Sequence, residues 1–318
     1  MDILQSSLSN SDFIDLYVSN SFADVKGLAS VDDTRVPVPE SWNEDVAKVL
    51  ALCRDRQIEV GGPEFSINYQ GKLYRVTHLE STEPGGAYVL RQSKIEIRDF
   101  RSLGIPKHFA DVLVAEKSKG LVLFCGGFGV GKTTTAASWL VERHRQHGGV
   151  SLAIQDPVEA LVDGVHGKGR CIVINASRQN GGYTEHLIRG LRSGVDFMFL
   201  GEIREPATAF ECLMAGSNGE LIGTTFHAAG IPEGLERLVS MGGERVAKLL
   251  ADSLLGVVWQ DRIRERDHNG KAVTRIMVKT LLVSGENAST VREKIRSGKI
   301  SSLQQEIEQQ AMRGFWKN

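Results

Sequence analysis

The sequence predicts an α/β protein whose larger part is a mostly parallel sheet with helices on both faces. An apolar run, Leu121-Val122-Leu123-Phe124-Cys125, feeds straight into the glycine-rich Gly126-Gly127-Phe128-Gly129-Val130-Gly131-Lys132-Thr133, and a helix-forming segment follows. The same theme of apolar strand, polar residues and helical segment recurs from residues 150–154, 197–200 and 221–226, the rhythm of a parallel sheet covered on both sides. Ahead of it, residues 12–100 carry short strand-like runs broken by Pro37, Pro39, Gly61-Gly62-Pro63 and Gly85-Gly86, which suits a smaller mixed α/β module.

Taken in order, residues 42–56 predict one helix. Phe65-Ser66-Ile67-Asn68-Tyr69, then Gly71, then Leu73-Tyr74-Arg75-Val76 alternate like a hairpin, and Ala87-Tyr88-Val89-Leu90-Arg91 can pair beside it. That small sheet would carry Arg75 and Arg91. The chain changes character around residues 99–108, which places a boundary near Leu103-Gly104-Ile105-Pro106, and residues 109–119 predict a helix before the glycine-rich loop. Beyond Gly230 the pattern turns largely helical, with candidates at 234–239, 244–262, 288–297 and 301–313 and a turn at Asp267-His268-Asn269-Gly270. The expected regions are therefore 1–103, 104–245 and a mainly helical 246–318.

A formal net charge of −1 over 318 residues lacks the basic excess of a broad nucleic-acid footprint, although a local channel between subunits would escape this test. Direct nucleic-acid binding is not expected. No stretch approaches an apolar membrane span, and Met1-Asp2-Ile3-Leu4-Gln5 lacks a signal-peptide pattern, so a cytoplasmic protein is expected. Cys53, Cys125, Cys171 and Cys212 are far apart without a CxxC pair, which reads as buried thiols and not as a zinc site or disulfide framework.

The glycine-rich run fills every required position of a phosphate-binding P-loop. Glycines let the backbone turn tightly and aim N–H groups at phosphates, Lys132 reaches the β/γ oxygens, and the Thr133 hydroxyl suits magnesium. A nucleoside triphosphate is the predicted ligand, held by Gly126, Gly127, Phe128, Gly129, Val130, Gly131, Lys132, Thr133 and Thr134. Hydrolysis further needs a magnesium-organising carboxylate, a group that orients water, and positive charge or donors for the transferred phosphoryl group. Glu202 follows an apolar strand and a glycine, where a Walker-B-like acid sits and can share magnesium with Thr133. Glu159 can polarise water, or can simply be a solvated loop acid. Spacing alone does not choose between these two acids. His227, at a strand end, suits either a γ-phosphate contact or a satisfied histidine.

The ordered set of P-loop, Asp156-Pro157-Val158-Glu159, Gly201-Glu202-Ile203-Arg204-Glu205 and Thr224-Thr225-Phe226-His227 resembles the secretion ATPase superfamily that powers type II and type IV secretion and type IV pili. Asp15-Leu16-Tyr17-Val18-Ser19 is similar to that family's first strand, so the resemblance spans nearly the whole chain. It implies a RecA-like P-loop NTPase core behind a PAS-like N-terminal domain, and ATP as substrate with Mg2+. It assigns Glu159 as the catalytic glutamate of the aspartate box, Glu202 as an atypical Walker B and His227 as the histidine box. It also implies that Arg75 and Arg91 reach the nucleotide phosphates as domains or neighbouring subunits close, and keeps Arg192 as a further candidate beside a salt-bridge reading. A homo-hexameric ring is implied, peripheral to the inner membrane, which acts on a membrane-embedded platform protein of a pilus or secretion machine.

The chain departs from the family pattern at three places. Gln155 stands where an acid often precedes Asp-Pro, Glu220 where retraction motors usually carry a histidine, and Tyr17 where a first-strand histidine is common. A short N-terminal region and the lack of a four-cysteine insertion favour a compact motor. Residues 291–299 partly resemble the AIRNLIRE helix of pilus retraction ATPases, which favours type IV pilus retraction over a compact ATPase of conjugative or type IV secretion. A non-hydrolytic, nucleotide-gated adaptor and a ring translocase on nucleic acid are the readings from other classes.

Overall fold

Two units divide the chain in the computed structural model, which describes residues 7–29, 31–266 and 272–315. The first comprises Met1–Ile95, Gln155–Leu161 and Asn175–Gly182, and the second comprises Glu96–Ile154, Val162–Ile174 and Tyr183–Asn318. The division falls ahead of the expected boundary near Leu103, and two short segments from the middle of the sequence join the first unit.

In the first unit, β1 (Asp15–Val18), β2 (Ala23–Lys26), β3 (Arg35–Pro37), helix α1 (Asn43–Val60), β4 (Glu64–Tyr69), β5 (Lys72–Leu79) and β6 (Ala87–Gln92) build a six-stranded sheet of order β3-β2-β1-β6-β5-β4. Every paired neighbour is antiparallel. Alternation does the sorting. Phe65, Ile67 and Tyr69 of β4, Tyr74 and Val76 of β5, and Tyr88 and Leu90 of β6 turn into one core with Leu16, Trp42, Val49 and Cys53. α1 starts with Glu44 and Asp45 in its first turn and ends on Gly61 at φ 69°, a left-handed close. The expected hairpin, third strand and helix are all present.

In the second unit, α2 (Lys107–Val114), β7 (Gly120–Gly126), α3 (Lys132–His147), β8 (Gly149–Gln155), β9 (Gly164–His166), β10 (Gly169–Asn175), α4 (Gly182–Leu191), β11 (Phe197–Glu202), α5 (Pro206–Ser217), β12 (Leu221–His227), α6 (Ile231–Ser240), α7 (Gly243–Ser253), β13 (Leu254–Arg266), β14 (Ala272–Leu282), α8 (Ala288–Arg296) and α9 (Gln304–Phe315) follow in order. The sheet has eight strands, ordered β14-β13-β7-β12-β11-β8-β10-β9. β13, β7, β12, β11 and β8 run parallel, while β14 and β9 close the edges antiparallel to their neighbours. β7 is buried along its whole length, as a strand covered on both faces must be. α3 lies against β12 where Gly223 leaves room, since a Cβ there would stand 2.4 Å from the Trp139 ring.

Within region 246–318 the helices α7, α8 and α9 are joined by two long strands, β13 and β14, and one expected helix is corrected. The helix expected over 244–262 ends at Ser253, and Leu254 begins a long strand. Leu254-Leu255-Gly256-Val257-Val258-Trp259 pairs in parallel with β7, and a short continuous apolar run carries no periodicity that separates strand from helix. The expected turn at residues 267–270 lies outside the described residues. Among the described residues, no helix is long and apolar enough to cross a membrane.

All four cysteines are buried. Burial pushes the thiols of Cys53 and Cys125 up to about 12 and that of Cys171 up to about 11, and raises Cys212 as well. Thiolate therefore forms only far above neutrality. A disulfide reagent at pH 8 is expected to label none of them in the folded protein and all four in denaturant, and rapid native labelling of even one would contradict the burial described here.

Candidate nucleotide site

Parallel register gathers the chemistry at one edge of the second sheet. Gly126, the last residue of β7, pairs with His227 of β12 on one side and with Gln260 of β13 on the other, and Glu202 of β11 pairs with Thr225 after a bulge at Leu200. The carboxyl ends of adjacent parallel strands thus line up where such sheets place their ligands. Gly131, at φ 104°, turns the loop into α3, so Lys132 and Thr133 open the helix and its N–H groups point back at the loop.

Within this edge the side chains form a connected polar row. Lys132 donates to the Gly127 carbonyl, and its Nζ lies 3.5 Å from Nδ1 of His227. Nε2 of His227 stands 3.2 Å from Glu202 Oε1, and Arg204 Nε donates to Glu202 Oε2 at 2.8 Å. Burial first, and then the Lys132 ammonium, hold the imidazole below its usual value against the pull of Glu202. A neutral ring with its proton on Nε2 satisfies both neighbours: Lys132 donates to Nδ1, and Nε2 donates to Glu202. The contact of His227 with Glu202 is then a hydrogen bond and not an ion pair. Arg237 anchors the strand end, donating to the His227 carbonyl at 2.9 Å. Phe128 is 89% exposed at the loop's tip, its ring 3.9 Å from that of His227.

Arg75, Arg91 and Glu159 belong to the first unit. Strand pairing there sets Asp15, Arg91, Arg75 and Ser66 in one row across β1, β6, β5 and β4. Two arginines directly opposite each other repel, and each takes its own carboxylate. Arg91 grips the buried Asp15 with two bonds, Nε to Oδ1 at 2.8 Å and Nη2 to Oδ2 at 3.0 Å, which raises the guanidinium further above its usual value. Arg75 Nη1 donates to Glu159 Oε1 at 2.6 Å. Glu159 rides on the segment Gln155–Leu161, which Ser66 and Ser93 hold by donating to the carbonyls of Val158 and Glu159 at 2.8 and 2.6 Å.

Sequence reasoning thus named residues that fall into two groups, one in each unit. Arg192 joins neither: it is exposed one residue past α4 and leads into the beginning of β11, away from the strand end that bears Glu202. Arg204, Asp15, Ser66 and Ser93 were not picked out. Arg204 carried a signal, standing two residues after Glu202 in the same strand-end motif, whereas the others are placed by pairing register and loop contacts that no local pattern reveals.

The family model described as "Type II/IV secretion system protein" matches residues 64–314. Among curated proteins, the chain is 26% identical over 283 residues to a "Twitching motility protein" of Neisseria gonorrhoeae, covering 86% of this chain and 72% of that one. It is 28% identical over 289 residues to the "Type IV pilus retractation ATPase PilT" of Pseudomonas aeruginosa, covering 87% and 80%. Among solved structures, the pilus retraction motor PilT with bound ADP superposes with a TM-score of 0.71 at 23% identity, over 93% of this chain and 86% of that one. The Legionella pneumophila ATPase DotB gives a TM-score of 0.70 at 17% identity, over 92% and 84%.

Proposed function

The chain belongs to the type II/IV secretion system protein family, and on that premise we propose that it is an ATP-hydrolysing motor that drives type IV pilus retraction. The observation that carries the reading is the row Lys132–His227–Glu202–Arg204 at the mouth of a complete P-loop. Lys132 and the loop amides of residues 126–134 hold the phosphates, and the start of α3 favours their charge. Glu159 orients the attacking water and draws its proton. His227 senses the γ-phosphate through its contact with Lys132, and Arg75 and Arg91 neutralise developing charge as fork-shaped donors.

The donor set fits magnesium. Among the described residues no cluster of three His, Cys, Asp or Glu side chains forms a cage, and magnesium needs none, because it keeps waters and binds one or two protein oxygens plus substrate phosphates. The Thr133 hydroxyl and the Glu202 carboxylate are hard oxygen donors of that kind. Bound with ATP, the ion would neutralise the phosphate oxygens; what the chain itself contributes is orientation and charge.

Gain and loss of γ-phosphate contacts gives the differential affinity that turns a hydrolysis cycle into motion. We assign the working form as a homo-hexameric ring in the cytoplasm, docked on an inner-membrane platform protein. Similarity to twitching and retraction proteins over most of the chain supports the pilus reading, and the comparable fold likeness to DotB supports a compact secretion ATPase as the second one. The test is magnesium-dependent phosphate release from size-resolved protein, wild type beside Glu202→Gln. Release in the ring fraction that the variant loses supports the motor. ATP binding without release from any fraction would replace it with the nucleotide-gated adaptor.

A further inference from the structure

Gln155 departs from the acid that often precedes Asp-Pro in this family, and its surroundings explain what an amide does there. It ends β8 with only 2% of its surface exposed. Its Oε1 accepts from the backbone N–H groups of Glu159 and Ala160, both at 3.1 Å, and its Nε2 donates to the Ala160 carbonyl at 3.3 Å. Two donors at one end and a carbonyl at the other permit one orientation of the amide. A carboxylate could accept the first two bonds but would face the Ala160 carbonyl with a lone pair, in a place closed to water.

Together with Ser66 and Ser93, this amide binds every main-chain polar group from the Val158 carbonyl to the Ala160 carbonyl. The turn owes its shape to three side chains and not to a helix or strand. Glu159 sits in the middle of it. A group that must aim at a water within a few tenths of an ångström needs support of this kind.

We propose that Gln155 is a positioning residue that fixes the aim of Glu159 by clamping the backbone of its turn. The inference rests on the reading of Glu159 as the group that orients water. It deepens that reading by naming the residue that makes the orientation reproducible, and by giving the chain's departure from the family a role in place of a defect.

The experiment compares Gln155→Leu and Gln155→Glu in the wild-type and Glu159→Gln backgrounds, measuring steady-state kcat and KM, single-turnover ATP hydrolysis and the Kd of a fluorescent ATP analogue. In the wild-type background kcat is expected to fall about 30-fold for the leucine variant and about 5-fold for the glutamate variant, with KM and Kd within about twofold, since small misplacements of a reacting group are costly in rate. In the Glu159→Gln background neither substitution should lower the residual rate further. The same proportional loss in both backgrounds would make Gln155 merely structural and overturn the proposal, as would wild-type kcat in both variants. Should the leucine variant fail to fold, the glutamate variant decides by the same comparison. If Glu159→Gln alone hydrolyses at the wild-type rate, the assignment of Glu159 falls instead, and the inference with it.

Discussion

Glu159→Gln is expected to slow ATP hydrolysis by about 10²- to 10³-fold while ATP binds within about twofold of the wild type. The loss follows from removing a base that acts in the transition state, an effect usually in the range of about 10²–10⁴. Everything else about the position survives. Glutamine has the same shape, its oxygen can still accept from Arg75, and its backbone keeps the clamp of Gln155, Ser66 and Ser93. The ion pair it weakens has side chains 43% and 34% exposed, and exposed pairs contribute about 0–1 kcal/mol. Unfolding in urea should therefore move little, and a slow variant cannot be dismissed as a misfolded one. Nucleotide affinity should be retained because Lys132 and the loop amides are untouched. Single-turnover hydrolysis and an ATP-analogue titration on the same preparation check both halves. A rate within about fivefold of the wild type would pass the role of base to another group.

Much of the site was legible because phosphate binding makes strict local demands. A tight glycine loop after a buried strand has few other uses, and the apolar strands beside it end in Gln155, Glu202 and His227, polar residues at the edge where parallel sheets take ligands. The sheet around them was legible for the same reason: β7, β8, β11 and β12 are short apolar runs bounded by polar residues. What escaped was decided at long range. Leu254-Leu255-Gly256-Val257-Val258-Trp259 continues a helical-looking stretch, and it becomes strand because β7 has a free edge to fill. Gln155 looked like a lost acid, and only the folded turn shows that it must donate as well as accept. The pairing of Arg91 with Asp15 is a matter of register between strands whose two partners are separated by 76 in sequence, and nothing local encodes it. The lowered pKa of His227 likewise needs the burial and the Lys132 ammonium that only the fold supplies.

Gly126→Ala is expected to cost roughly 2–6 kcal/mol of stability, whereas Gly127→Ala, one residue on, should stay within about 1 kcal/mol of the wild type. The difference comes from the two backbones. Gly126 lies at φ 145°, and a Cβ there would stand 2.2 Å from the Gln260 carbonyl oxygen and 2.9 Å from a Val130 methyl. The first obstacle is the main chain of β13, which pairs with β7 at that point and cannot swing aside as a side chain would. An unfavourable backbone conformation costs about 1–3 kcal/mol, and overpacking adds about 1–3 kcal/mol. At Gly127 the nearest atom is a Val130 methyl at 3.8 Å, ordinary contact that an alanine tolerates. Gly126 also pairs with His227, so any shift that relieves the clash displaces the strand end bearing the histidine and the loop leading to Lys132. ATP affinity should fall by at least about tenfold in the same variant, as expected when a phosphate cradle loses its geometry. Urea unfolding with a constant m-value, followed by the same ATP-analogue titration, compares the two proteins directly. Coincident unfolding midpoints would mean that β7 and β13 do not approach as described, and that Gly126 is a phosphate-loop glycine replaceable like its neighbour.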